Sequence, residues 1–221
     1  MKILTTILTC SLTQDRANAC LDTWIRDIKS PHNYFFYGDE LQSKTMINTW
    51  NCSPDEGEHR RRLPEKTYKM LIESLNHDWD FLFKCDDDTY LNFNQLVEFL
   101  QDYNASDDLY IGKQLINPFP YAQGGAGYIL TKSSVIKCLN SLKSFYQYES
   151  KNNRAEDYSV GLALEMEGIH LNHIDQLNTH APQIAKKDQS VCVNDIIKCN
   201  KITTHYVEAE TMNKIYDFIK T

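Results

Sequence analysis

Three consecutive carboxylates at the end of an apolar run constrain this chain more than any other feature. Residues 79–83, WDFLF, predict a buried strand, and Asp86, Asp87 and Asp88 follow it. Like charges this close repel one another, and each raises the pKa of its neighbours. A divalent cation relieves the repulsion, because hard oxygen ligands suit Mg²⁺ or Mn²⁺. The competing interpretation is an acidic surface turn, which the apolar strand in front of the motif disfavours.

Strand and helix patterns alternate along the chain, which is typical of an α/β fold with a mainly parallel sheet. The β-branched run at residues 3–9 predicts the first strand, and a helix is predicted from about Arg16 to Ile28 with Asp15 as its cap. Further helices are predicted at about residues 65–76, 133–142 and 155–166 and at the C-terminus, and further strands at 34–37, 109–111, 128–130, 169–171 and 202–207. In such a fold the aspartates lie at the carboxyl edge of the sheet, where ligands bind.

The length of the chain indicates how many domains it forms, and its charge indicates which partners it can bind. Its 221 residues predict one domain with a sizeable core over residues 1–221. The formal net charge of -7 argues against a general affinity for nucleic acid or for an anionic membrane surface. The basic run Arg60, Arg61 and Arg62 is either a solvated loop or a contact to an anionic donor or acceptor.

The cysteines and the N-terminal sequence indicate the cellular compartment in which the protein is expected. The seven cysteines include no C-x-x-C pair, which disfavours a structural zinc site, and reduced thiols in the cytoplasm are the expectation. The first 19 residues imitate a signal peptide, but Thr5, Thr6 and Thr9 interrupt the apolar stretch, so a buried strand is the better interpretation. No apolar run approaches the roughly 18 residues that a transmembrane segment needs.

Three other groups of residues are candidates for chemistry. Glu156-Asp157 opens a helix, where the acids either complement the helix dipole or supply a general base. Residues 124–127, GGAG, either form a plain turn or let the backbone approach a ligand closely. That segment is not G-x-G-x-x-G and it precedes a strand, so a Rossmann site is not supported. His205, at a strand end, is a metal ligand or a packed core imidazole.

Six segments in consistent order resemble the Fringe-like and core 1 β1,3-galactosyltransferases of glycosyltransferase family 31. The resemblance covers about residues 3–218 and rests on residues 7–9 (ILT) with Arg16 and 23–24 (TW), 65–67 (EKT), 79–90 (WDFLFKCDDDTY), 110–112 (YIG) with 124–130 (GGAGYIL), 156–161 (EDYSVG) and 204–207 (THYV). Each segment is weak evidence by itself, whereas six in the right order are highly specific.

The resemblance implies a GT-A fold, with a central mixed but mostly parallel sheet flanked by helices. It also implies an inverting transfer of a sugar from a UDP-sugar donor to a glycan, glycolipid or glycoprotein acceptor. Asp88 and His205 carry over as ligands of Mn²⁺ (or Mg²⁺), and Asp157 carries over as the catalytic base. The residues expected at the donor are Thr9, Arg16, Lys66, Asp86, Asp87, Gly124 and Gly125, with Asp86 and Asp87 at the ribose or completing the metal shell.

Animal members of that family have a membrane anchor and disulfides, whereas this sequence shows neither an anchor segment nor a clear disulfide framework. The chain therefore resembles a stripped catalytic domain, and we expect it in the cytoplasm of a bacterium or of a virus-infected host cell. A second functional class is a module that binds a nucleotide sugar or glycan without turnover, although retention of both Asp88 and Asp157 argues against it. A third is another metal-dependent phosphotransfer enzyme, which the absence of a P-loop disfavours.

Overall fold

A computed structural model describes residues 1–38, 46–48, 62–152, 154–178 and 201–220. Within these residues the largest element is a seven-stranded sheet. In spatial order its strands are β10 (Asn172–His173), β6 (Tyr110–Gly112), β9 (Tyr128–Thr131), β4 (Phe81–Asp86), β1 (Ile3–Leu8), β2 (Asn33–Gly38) and β3 (Met46–Asn48).

The sheet is mixed but mostly parallel. Strand β9 runs antiparallel to both β4 and β6, while the other four pairings in the sheet are parallel. The register of β1 with β4 pairs Leu8 with Asp86, so both strands end at the same edge of the sheet. The aspartate motif therefore begins at the carboxyl edge of the central strands, which is where ligands of open α/β sheets bind.

Helices cover both faces of this sheet. The described α-helices are α1 (Gln14–Asp22), α2 (Leu63–Ser74), α3 (Phe93–Phe99), α4 (Lys132–Leu142), α5 (Tyr146–Lys151), α6 (Glu156–Met166) and α7 (Ala209–Lys220). In β1, Ile3 and Ile7 pack in one core cluster and Leu4 and Leu8 in another, because successive side chains of a strand point to opposite faces. Helices α1, α3 and α7 contribute to the first cluster, and α2, α4 and α6 to the second.

Two smaller sheets lie beside the main one. Strands β11 (Leu177–Asn178), β12 (Thr203–Thr204) and β5 (Tyr90–Leu91) form a three-stranded sheet. Strands β7 (Gln114–Ile116) and β8 (Pro120–Ala122) form an antiparallel hairpin. The small sheet brings the C-terminal segment next to the residues that follow β4, although more than a hundred residues separate the two in sequence.

The predicted α/β architecture is confirmed, while several element boundaries are wrong. The helix predicted to Ile28 ends at Asp22, because Thr23 leaves the helical region (φ -120, ψ -112) and the chain continues as a 3₁₀ turn at Trp24–Asp27. The helix after β5 is capped by Asn92, whose side chain accepts a hydrogen bond from the Gln95 amide. The last predicted strand shortens to Thr203–Thr204, and the one predicted at 169–171 forms at Asn172–His173 instead.

The described cysteines are all reduced and buried: Cys10, Cys20, Cys85 and Cys138. Burial raises the pKa of the Cys20 and Cys85 thiols well above the usual value, so they remain protonated. The other three cysteines, together with Arg60 and Arg61 of the basic run, lie outside the described residues. In the described part of the chain, no helix combines the length and the apolar composition needed to cross a membrane.

Candidate active site

The three aspartates leave the end of β4 in a tight turn that points them in different directions. Asp86 is the last residue of the strand, and the Thr89 amide donates a hydrogen bond to its carbonyl oxygen (3.2 Å). The Asp88 carbonyl accepts a hydrogen bond from the Val207 amide at 2.8 Å, which joins the turn to the C-terminal segment. The turn thereby divides three adjacent carboxylates between two environments.

Asp86 and Asp88 face His205. One carboxylate oxygen of each and one ring nitrogen of His205 all lie within 4.8 Å of one another. The Nε2 atom of His205 is 3.0 Å from Oδ1 of Asp88. That oxygen is buried and yet accepts no hydrogen bond of normal geometry from any described residue. Two carboxylates and an imidazole around a buried, unsatisfied oxygen fit a divalent cation such as Mn²⁺ or Mg²⁺.

Asp87 points away from that cluster into the protein. Its Oδ2 atom accepts hydrogen bonds from the hydroxyls of Thr9 (2.7 Å) and Thr13, and the side chain is 5% exposed. Burial raises the pKa of Asp87 to about 7, although the two hydroxyl hydrogen bonds act in the opposite direction. Asp87 thus ties the end of β4 to the first turn beyond β1 and does not join the cluster of Asp86, Asp88 and His205.

The raised pKa of Asp87 predicts how stability depends on pH. Between the unfolded pKa near 4 and the folded pKa of about 7, the folded protein keeps a proton that the unfolded chain has released. In EDTA, the free energy of unfolding should therefore decrease as pH rises from 5 to 7, by up to about 1.4 kcal/mol per pH unit from this group. Urea unfolding of wild type and Asp87→Asn across this range measures it, and equal pH slopes for the two proteins would contradict the prediction.

His205 is held in place by contacts on several sides. Its amide donates a hydrogen bond to the Asn178 carbonyl (3.2 Å), its Nδ1 atom lies 3.3 Å from the Gln123 side-chain amide, and its ring stacks on Tyr206. A Cβ atom at Gly125 would come within 2.0 Å of the imidazole, so any side chain there would displace the ring. Burial lowers the pKa of His205, but the close approach and the charge of the Asp88 carboxylate outweigh that effect and raise it.

Asp157 lies at the other end of the same glycine turn. It is in the first turn of α6, where its Oδ2 atom accepts a hydrogen bond from the Gly124 amide (2.9 Å) and its Oδ1 atom from the Tyr158 amide (2.7 Å). Burial raises the pKa of Asp157, and the two amide hydrogen bonds and the charge of Lys84 only partly oppose it. A buried carboxylate with a raised pKa has the character that a general base needs.

Lys84, to which the sequence alone assigned no role, connects Asp86, Glu156 and the glycine turn. Its ammonium is fully buried, 2.8 Å from Oδ1 of Asp86 and 2.5 Å from Oε1 of Glu156, and it also donates to the Gly124 carbonyl. Burial alone lowers the pKa of Lys84, but the charges of Asp86 and Glu156 raise it well above its usual value, so it stays charged. A lysine inside an apolar strand was the signal in the sequence, because a buried charge requires partners.

A cleft of about 430 Å³ opens at the ends of β1 and β4 beside the aspartates. Among its lining residues are Thr9, Arg16, Asp86, Asp87 and Asp88. Arg16 forms a two-pronged ion pair with Glu208 (shortest distance 2.9 Å), while its NH1 atom lies 3.9 Å from Oδ2 of Asp88. Lys66 is placed differently from the expectation that it faces a ligand, since it is buried and donates to the Thr9 carbonyl at 2.7 Å.

Comparison with known proteins identifies one family. The model of the Fringe-like family matches residues 1–217. The chain is 28% identical to β-1,3-N-acetylglucosaminyltransferase lunatic fringe of Xenopus laevis, across 83% of this chain and 54% of the relative. It is 25% identical to the Fringe glycosyltransferase of Drosophila melanogaster, across 72% and 44% respectively. The chain thus spans about half the length of these curated relatives.

Solved structures show the same architecture at low sequence identity. The apo-form glycosyltransferase GlyE of Streptococcus pneumoniae matches 93% of this chain and 54% of its own, with a TM-score of 0.57 and 8% identity. A glycosyltransferase involved in the glycosylation of the major capsid of PBCV-1 matches 96% of this chain and 99% of its own, with a TM-score of 0.54 and 15% identity. The fold is therefore the predicted GT-A fold.

The predicted cytoplasmic location is wrong. The fringe relatives of this chain are Golgi-lumenal or secreted enzymes of eukaryotes. The prediction relied on the expectation of reduced thiols and on the apparent lack of a membrane anchor, and the four described thiols are free. They are free in a buried core, however, and a thiol packed there as a small apolar group carries no information about the compartment.

Proposed function

Because this chain belongs to the Fringe-like family, we propose that it transfers a sugar from a UDP-sugar donor to the hydroxyl of a glycan, glycolipid or glycoprotein. The relatives are named as transferases that form a β-1,3 linkage, so we propose that linkage here, formed with inversion. The observation that carries the proposal is the glycine turn: Gly125 packs against His205, and Gly124 donates to Asp157. One short backbone segment thus connects the candidate metal ligands to the candidate base. On this proposal residues 1–221 act as one catalytic domain.

The cluster of Asp86, Asp88 and His205 is proposed to hold Mn²⁺ or Mg²⁺. Asp88 and His205 were the expected ligands, and the 4.8 Å grouping adds Asp86 to them. An ion bound there would neutralise the negative charge of the departing diphosphate. The ammonium of Lys84 lies 2.8 Å from Oδ1 of Asp86, which limits the orientations that this carboxylate can adopt.

The donor is proposed to lie in the cleft at the ends of β1 and β4. Thr9, Asp86 and Asp87 line this cleft. Two guanidinium nitrogens of Arg16 pair with Glu208, and the third, NH1, lies 3.9 Å from Oδ2 of Asp88. A guanidinium suits a phosphate through directed hydrogen bonds and charge. Lys66 acts through the backbone here, because it fixes the Thr9 carbonyl at the wall of the cleft. Gly124 and Gly125 are proposed to border the sugar; only glycine fits at either position, because a Cβ would collide with Glu156 at the first and with His205 at the second.

Asp157 is proposed as the base of a single displacement. Its carboxylate takes the proton of the acceptor hydroxyl while that oxygen attacks C1 of the donor sugar. The new C1–O bond forms as the bond from C1 to the diphosphate oxygen breaks, so the sugar is transferred with inversion and UDP leaves. The amides of Gly124 and Tyr158 fix both carboxylate oxygens, so the base is oriented before the acceptor arrives.

Hydrolysis of nucleotide sugars without an acceptor tests this function directly. A panel of UDP-sugars is incubated with the protein in Mn²⁺ and in EDTA, and the release of UDP is measured. We expect at least one donor to be hydrolysed slowly in Mn²⁺ and none in EDTA. Binding of a UDP-sugar without any release of UDP, with or without candidate acceptors, would instead indicate a module that binds the nucleotide sugar without turnover.

A further inference from the structure

Three aromatic side chains form a cluster beside α6 that the proposed chemistry has not used. Phe119, Tyr121 and Tyr158, hereafter the aromatic patch, contact one another with ring centroids 5.3–5.8 Å apart. Each of the three is partly exposed. Tyr121 belongs to β8, Phe119 precedes that strand, and Tyr158 belongs to α6, so the patch joins the hairpin to the helix that carries Asp157.

The aromatic patch is adjacent to the candidate base. Tyr158 follows Asp157 in sequence, and its amide is one of the two donors to the Asp157 carboxylate. Tyr121 packs closely on α6 because Gly161 has no side chain; a Cβ there would lie 2.4 Å from the Cβ of Tyr121. Burial and then the charge of Asp157 raise the pKa of Tyr121, as expected of a phenol near that carboxylate.

The hairpin extends this surface with the apolar side chain of Leu115. Leu115 is the register partner of Tyr121, so the two side chains lie on the same face of the hairpin, and Leu115 is 37% exposed. The neighbouring Ile116 is 67% exposed, but it points to the opposite face of the hairpin and is not part of this surface. Contiguous apolar side chains at the surface of a protein mark a site of interaction more often than isolated ones do.

We propose that the aromatic patch binds a pyranose ring of the acceptor, a proposal that rests on the proposed sugar transfer. The donor cleft lies on the side of Asp86 and Asp88, so the acceptor hydroxyl has to reach Asp157 from another side. Two aromatic residues are close to Asp157: Tyr158 follows it in the chain, and Tyr121 packs on Gly161, one helical turn further along α6. A sugar ring carries C–H groups on one face that pack on an aromatic ring, while its hydroxyls stay available for hydrogen bonds. The guanidinium of Arg154 lies 5.6 Å from the Tyr158 ring and is paired with Glu149, so the proposed occupant is a neutral sugar ring.

Binding of simple sugars, measured without turnover, tests the inference. The probes are the methyl glycosides of galactose, N-acetylgalactosamine, N-acetylglucosamine and glucose, each added with UDP and Mg²⁺ and followed by saturation-transfer NMR. We expect at least one glycoside to bind the wild type. Tyr158→Ala and Phe119→Ala should weaken it roughly tenfold, because each removes one aromatic contact surface. Tyr158→Phe should retain binding, since stacking needs the ring and not the hydroxyl.

Tyr148→Ala is the matched control, because Tyr148 is a 66% exposed tyrosine on α5 outside the aromatic patch. Wild-type protein that binds none of the four glycosides, or Tyr158→Ala and Phe119→Ala proteins that bind them as well as the control, would overturn the inference. So would a dimer in solution that Tyr158→Ala dissociates, since the patch would then contact a second copy of the chain. UDP binding in the same samples reports on the proposed function separately, because the patch lies outside the donor cleft.

Discussion

Replacement of Asp157 by asparagine is expected to lower kcat for sugar transfer by about 10²–10⁴-fold while UDP affinity stays close to that of the wild type. An amide at this position cannot take a proton from the acceptor hydroxyl, so the attacking oxygen loses its base. UDP binding is preserved because Asp157 contacts Gly124 and Tyr158 and does not line the cleft around the aspartate motif. Steady-state kinetics with a defined donor and acceptor, combined with calorimetry for UDP, measures both quantities.

The asparagine variant needs a check on folding, because both oxygens of Asp157 accept hydrogen bonds from backbone amides. An asparagine NH₂ group would face one of those donors, at a cost of about 1–3 kcal/mol. Glu165→Gln makes the same acid-to-amide change at an exposed site on α6, and we expect it to keep wild-type kcat. Near-normal kcat for Asp157→Asn, or a loss of UDP affinity as severe as that of Asp88→Ala, would refute its role as the base. Glu156 would then be the next candidate.

Replacement of Asp88 by alanine should abolish the dependence of UDP binding on a divalent cation. Asp88 provides the buried oxygen that lies 3.0 Å from His205 and lacks a well-formed hydrogen bond among the described residues. Without that carboxylate, Asp86 and His205 remain as a two-residue set, which is weak for a hard cation that prefers several oxygen ligands. Titrations of UDP in Mn²⁺ and in EDTA should differ strongly for the wild type and hardly at all for the variant.

Asp108→Ala is the control for this experiment, because Asp108 is a partly exposed carboxylate paired with Lys137 outside the cleft. It should bind UDP with the same cation dependence as the wild type. If wild-type protein binds UDP equally well in Mn²⁺ and in EDTA, the metal role of the cluster is wrong, whatever the variant does. In that case the arrangement of Asp88 and His205 would be a buried ion pair.

The aspartate motif illustrates how far the sequence could lead. An apolar strand followed by three carboxylates was sufficient to predict a ligand-binding edge of an α/β sheet, and the structure places Asp86–Asp88 there. The sequence did not show which of the three aspartates faces which partner. Asp87 turns to Thr9 and Thr13 while Asp86 and Asp88 turn to His205. Neighbouring side chains of one type look equivalent in a sequence, and the backbone turn that separates them depends on contacts with distant segments.

The sequence by itself determined the α/β class and the family, because periodic burial and ordered short motifs are local properties of a chain. The acidic start of a helix also indicated Glu156 and Asp157 as candidates for a general base, and the family resemblance selected Asp157. Only the tertiary structure decided that Lys84 links Asp86 to Glu156 and that Gly125 must lack a side chain to admit His205. The contacts of Lys84 with Glu156 and of Gly125 with His205 join residues that are 72 and 80 positions apart. Such contacts arise from the packing of whole elements, so no local pattern contains them.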